Sequence, residues 1–134
     1  MLGEVFDLKN NGAANYTNKL FGVLELVNKK QFDRLNELGI IPTTFGLRWV
    51  RMLFSREFTI ENTIKLWDGI FSYGHAMSLI KSIYLVLLLD CCQEEDDGIL
   101  MRLMHDPAKN YTNIENLLRD SIAFDQRHRH VLNI

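Results

Sequence analysis

"FGLRWVRMLFSREFTIENTIKLWDGIF", residues 45–71, holds both tryptophans and four of the eight phenylalanines of the chain. It also carries Arg48, Arg51, Arg56, Glu61, Lys65 and Asp68. Over about 44–55 the polar positions are Arg48, Arg51 and Ser55, spaced i, i+3, i+7, and apolar side chains from Phe45 to Phe54 cover the rest. Over about 60–72, Glu61, Lys65, Asp68 and Ser72 form one narrow polar stripe. Ile60, Ile64, Trp67 and Phe71 form an apolar row beside it, and Leu66 with Ile70 forms another. Narrow polar stripes on otherwise apolar helices predict two helices buried on most sides. Thr59 is placed to cap the second, and Glu61 to Lys65 is a favourably oriented pair worth a few tenths of a kcal/mol. The link, Arg56 to Phe58, is short, which predicts antiparallel neighbours. Arg48 and Asp68 lie at similar distances from that link, so an ion pair between them is expected.

Outward from this stretch the helical period recurs. Leu20, Val23, Leu24 and Val27 predict a helix after a loop at NNGAAN, residues 10–15. Leu2, Val5, Phe6 and Leu8 suit a short helix before it. Phe32, Leu35 and Leu38 mark another, with Gly39 as its stop. Ile40-Ile41-Pro42 reads as extended, because the residue before proline avoids the helical region, and Thr43 or Thr44 can cap the next helix. After Gly74, AMSLIKSIYLVLLLDCC, residues 76–92, is the most apolar segment. Asp96 or Asp97 is a natural cap for a helix of about 98–105, broken by Asp106-Pro107. Thr112 or Asn113 caps a last helix from Ile114 to about Gln126, with Ile114, Leu117, Leu118 and Ile122 facing inward. The basic end RHRHVLNI is expected to fray. The prediction is an all-α fold, an irregular array of about 7–8 helices in a single helical domain over residues 1–134.

Composition narrows the function. A chain of 134 residues can bury one real core. A net charge of −2 gives no footprint for nucleic acid. The longest apolar stretch, Ile83 to Leu89, is far shorter than the ~20 residues a membrane span needs. The N-terminus MLGEVFDLKNNG lacks the basic start and apolar run of a signal peptide. Cys91 and Cys92 are adjacent, which disfavours disulfide geometry. Two thiols at the end of an apolar helix fit a reducing, cytoplasmic setting, and they read as buried and inert.

No motif for chemistry stands out. His128 and His130 are two apart, and neither His75 nor His105 joins them at zinc-site spacing, so no metal is expected. There is no GxSxG elbow and no exposed lone cysteine for nucleophilic catalysis. The glycines never approach GxxxxGK[ST] or GxGxxG, so no nucleotide cofactor is expected. The acidic run Glu94 to Asp97 reads as a solvated loop. With no convergent titratable cluster, an unrecognised small enzyme is the weakest reading.

Resemblance carries the stretch further. From Ile41 to Phe71 the chain is similar to a hallmark of TBC domains, the helical GTPase-activating domains that act on Rab-type small GTPases. The family pattern is an Arg-Trp pair, then Leu-Phe, then Arg-Glu-Phe, then Trp-Asp on the following helix. Here these are Arg48-Trp49, Leu53-Phe54, Arg56-Glu57-Phe58 and Trp67-Asp68. The lead-in RLNELGIIP also resembles the family, and the match is specific over about residues 33–74 and loose outside. The resemblance implies an all-α fold, a Rab-type GTPase as partner, and a role in vesicle trafficking, peripheral to endomembranes through partners. It also implies two catalytic side chains, an arginine in I-x-x-D-x-x-R and a glutamine in Y-x-Q, both placed before the Arg-Trp element. Neither motif stands in this sequence. No tyrosine has a glutamine two residues on, and the nearest arginine motif, Ile122-x-x-Asp125-x-x-His128, ends in histidine and comes too late. No catalytic residue is therefore carried over. The chain reads as the C-terminal half of such a domain, inactive alone because absent finger residues cost ~10³–10⁵ in rate. The N-terminal half is then a further partner, and a non-catalytic helical interaction module is the alternative.

Overall fold

The computed structural model describes residues 12–51 and 53–132. The expected short helix at Leu2, Val5, Phe6 and Leu8, the residue Met52 and the side chain of Arg51 lie outside the described residues. Seven helices follow one another: α1 Gly12–Val27, α2 Lys29–Glu37, α3 Pro42–Arg51, α4 Ile60–Ser72, α5 Ala76–Cys91, α6 Ile99–His105 and α7 Ile114–Leu132. No strand occurs among the described residues, and the fold is all-α.

α5 is the centre. Eleven of its residues, from Ser78 to Cys91, are buried, as a helix apolar nearly all round requires. It lies along α7 and also meets α1, α4 and α6. α3 packs chiefly on α1, and α1 on α2. Where α3 meets α5, Phe45, Trp49 and Tyr84 form an aromatic cluster, with Trp49 at 4.9 Å from Phe45 and 5.4 Å from Tyr84 between ring centres. These three side chains are fully buried. Offset and edge contacts of this kind add to the area they bury.

Caps set several boundaries as the sequence indicates. Thr59 Oγ1 accepts from the Asn62 amide at 3.2 Å, and Asn113 Oδ1 accepts from the Glu115 amide at 2.8 Å. Gly39 and Gly74 take φ of 72° and 89°, conformations that side chains with a Cβ adopt only under strain.

Other boundaries differ. α1 begins at Gly12, inside the expected NNGAAN loop. Gly98, not Asp96 or Asp97, precedes α6, because Asp96 is drawn to Arg34 (2.7 Å). α7 runs through the basic RHRH segment to Leu132, with a kink at His128. Up to Leu132 that segment is helical and held, since Leu132 is buried and Arg129 is bound to Asp125.

The largest departure is at the end of α3. The helix stops at Arg51, not near Ser55, because Leu53 and Phe54 turn left-handed with φ of 46° and 64°. The amides of Leu53 and Phe54 reach back to the carbonyls of Val50 and Trp49, as in a helix stop normally built on glycine. Two non-glycine residues in this region cost about 1–2 kcal/mol each, offset here by burial of Phe54. The turn sends the chain away from α3, so α4 lies on α5 and α7 rather than along α3. The expected antiparallel pair of α3 and α4 does not form.

Candidate functional site

The signature residues gather around this left-handed turn. Arg48 Nε donates to Glu57 Oε1 at 2.9 Å, and Arg48 Nη2 donates to the Met104 carbonyl on α6. The Glu57 carboxylate is almost wholly buried. The expected Arg48–Asp68 pair is therefore wrong: Asp68 is exposed. The partner of Arg48 lies in the link itself, because the turn folds Glu57 back over α3. Trp67 on α4 donates its indole N–H to the Leu53 carbonyl at 2.9 Å. Trp49 is in the core, Phe54 is buried and Phe58 is partly buried against the core, while Arg56 and Asp68 face solvent. Seven of the nine signature residues thus support one strained turn or the core beside it, and two do not.

α4 is less buried than its composition suggests. Thr63, Leu66 and Ile70 face the core. The second row is bare: Ile60 is 82% exposed, Ile64 53%, Trp67 36% and Phe71 51%. Single exposed apolar side chains are ordinary, but a row of four along one helix marks an interaction face. Glu61, Lys65 and Asp68 border it. Helical spacing finds both apolar rows, and it cannot say which one the rest of the chain covers.

A polar quartet around a buried carboxylate lies at the C-terminal end of α4. Asp125 on α7 is fully buried. It accepts from Tyr73 Oη at 2.7 Å, from Arg129 Nη2 at 2.6 Å and from Ser78 Oγ. Burial opposes its charge, but the hydrogen bonds from Arg129, Ser78 and Tyr73 outweigh it and hold Asp125 below the usual carboxylate range. Three donors engage the carboxylate, and Arg129 Nη2 donates to both Asp125 and Tyr73 Oη. The group locks the start of α5 to α7. This is the segment whose Asp125 and His128 come nearest the family's arginine motif, and Arg129, one residue on, is held by Asp125.

The acidic run is only half solvated. Arg34 donates to Asp96 Oδ1 and to the Glu94 carbonyl at 2.7 Å each. Arg102 is buried and reaches Asp90 Oδ2 at 3.0 Å and Glu94 Oε1 at 3.4 Å. Glu95 and Asp97 remain exposed. Arg34, Arg102 and the Asp125 quartet are structural anchors that sequence spacing did not expose. The one local signal was the i, i+4 spacing of Asp125 and Arg129. The thiols of Cys91 and Cys92 are buried, and burial pushes them up to about 12 and about 11, which keeps both neutral. Among the described residues no group of three or more His, Cys, Asp or Glu could hold a metal ion. Among them no helix is long and apolar enough to cross a membrane.

Known proteins are similar to this chain in sequence. TBC1 domain family member 5 of Homo sapiens is 44% identical over 58 residues, 43% of this chain and 7% of that protein. Its homolog B in Dictyostelium discoideum is 36% identical over 66 residues, 47% of this chain and 6% of that protein. TBC1 domain family member 13 of Mus musculus is 30% identical over 91 residues, 66% of this chain and 23% of that protein. The chain thus spans less than a quarter of the length of these relatives. No solved structure matches it. The model of the Rab-GTPase-TBC domain matches residues 1–96, from before α1 to the loop after α5 and well beyond the motif-rich stretch. With its signature residues clustered at one turn and most of its length matched by that model, the chain belongs to the Rab-GTPase-TBC domain family.

Proposed function

We propose that this chain is part of a GTPase activator for Rab-type proteins, and that the bare row on α4 is where the rest of such a domain packs. The carrying observation is that row. Ile60, Ile64, Trp67 and Phe71 are exposed on the helix that bears the Trp-Asp signature. The chain is also far shorter than its relatives, so further domain is available in such proteins to cover an apolar face. Within the whole domain, α3, α4 and their strained turn form a rigid base on which an activator half stands. The family role, stimulating GTP hydrolysis on Rab proteins in vesicle trafficking, then belongs to the completed domain. Its setting is the cytoplasm, at the surface of endomembranes through partners.

By itself the chain is inactive in this reading. It has neither an I-x-x-D-x-x-R nor a Y-x-Q motif, and Arg129 is engaged by Asp125. Single-turnover GTP hydrolysis by a panel of Rab proteins tests this. The expected result is no stimulation by the chain alone; a rate increase of ~10³ or more defeats the claim that the catalytic groups lie elsewhere. The alternative, a non-catalytic module that binds a GTPase through the same face, is favoured by the border of Glu61, Lys65 and Asp68 around the apolar row. Light scattering separates the two readings. A face meant for the rest of a domain promotes self-association when bare, whereas a face meant for a transient partner leaves a monomer.

A further inference from the structure

We propose that the cleft between the middle of α1, the first half of α5 and the C-terminal end of α7 binds a small organic acid, a carboxylate carried on a compact apolar body. The cleft encloses about 140 Å³ and is lined by Tyr16, Lys19, Leu20, Val23, Lys81 and Leu132. Its floor is apolar, since Leu20, Val23 and Leu132 are buried. Two lysines, Lys19 and Lys81, line it. Lys81 Nζ gives one hydrogen to the Leu132 carbonyl at 2.7 Å, and an ammonium has two more to give. Lys19 comes from α1, and among the described residues neither lysine lies within ion-pair distance of a carboxylate. The Tyr16 hydroxyl is buried with no hydrogen-bond partner.

Such an arrangement is unfavourable when empty of negative charge. Burial, and then the nearness of Lys19, hold the Lys81 ammonium below the ordinary lysine range. An anion between the two ammoniums relieves their repulsion. The size sets the tail: a cavity of about 150 Å³ takes one benzene, so about six carbons fit here. A carboxylate suits the head, because its two oxygens can each accept from one lysine. None of the residues lining the cleft lies on α4, so this site stands independently of the activator reading.

The test is a heteronuclear NMR titration of the full chain with hexanoate, and with 1-hexanol as the uncharged twin. Hexanoate is expected to shift the amides of residues 16–23, 81 and 132 saturably. Hexanol is expected to bind about tenfold more weakly, the loss of one charge-assisted hydrogen bond. Lys19→Gln is expected to weaken hexanoate about tenfold and leave hexanol unchanged. Lys19 is exposed, so this variant keeps the fold. Lys81→Gln also removes the contact to Leu132, and its thermal unfolding is followed alongside. No saturable shift with hexanoate, equal binding of hexanol, or an unchanged Lys19→Gln variant each overturns the proposal.

Discussion

α4 and α5 are neighbours in sequence and in space, and both are rich in large apolar residues. α5 is covered on every side, by α1, α4, α6 and α7. α4 is covered on one side, and its second row, Ile60 to Phe71, meets no other part of the described chain closely enough to bury it. Apolar content states how much surface seeks cover. Only the layout of neighbours states how much receives it. For α5 the cover is within this chain. For the second row of α4 no such cover is present among the described residues.

Mutations on the two helices separate these cases. The largest effect is expected at the junction between them. Asp125→Ala leaves Arg129, Tyr73 and Ser78 without their acceptor and should cost about 3–5 kcal/mol, read as a drop in the urea midpoint. The same lock gives a pH dependence. The folded value of Asp125 is depressed below the usual carboxylate range. Its stabilisation is therefore complete above the unfolded value and disappears as pH falls through the lower folded one. Midpoints measured from about pH 6 down to about pH 2 should decline more steeply for the parent chain than for Asp125→Ala.

Next in size is Leu87→Ala, on α5 and fully buried, which should cost about 2–5 kcal/mol. If it costs less than Ile64→Ala, the contrast between the helices is wrong. Trp67→Phe should cost about 1 kcal/mol, because the Leu53 carbonyl loses its donor and the left-handed turn loses its tie to α4. The smallest effect is expected on the bare row: Ile64→Ala should change stability by no more than about 0.5 kcal/mol. The paired change Ile64→Glu with Phe71→Glu should abolish any self-association seen by light scattering while leaving the helical signal intact.

The sequence shows the helices well and their mutual placement poorly. Thr59, Gly39 and Gly74 announce boundaries because their side chains, or lack of them, favour a particular backbone. Leu53 and Phe54 give no such signal. Nothing about a leucine followed by a phenylalanine indicates a left-handed turn, and the turn exists because burial of Phe54 and the bond from Trp67 outweigh its strain. Once it is missed, α3 runs too long, α3 and α4 become a hairpin, and Arg48 is matched to Asp68 by height alone. Its true partner, Glu57, is nine residues away through a link that a straight-helix picture treats as empty. The family resemblance names these residues without giving their geometry, and seven of the nine meet at the turn or the core beside it. The anchors Arg34, half-buried, and Arg102, buried, were illegible for a simpler reason. The partners of Arg34 lie across the fold, those of Arg102 lie at the end of α5 and in the turns on either side of α6, and an arginine in sequence looks the same whether it faces water or a carbonyl.

The two tryptophans sit on opposite sides of the α4–α5 contrast. The Trp49 ring is sealed in the core with its indole N–H unpartnered, an apolar setting that gives short-wavelength fluorescence out of reach of aqueous quenchers. Trp67 is partly open to solvent and hydrogen-bonded through its N–H, so its emission lies further to the red and is open to acrylamide. The chain therefore carries an intrinsic optical gauge. A partner that covers the α4 row shifts the red component and protects it, while the blue component stays as an internal standard for the integrity of the core.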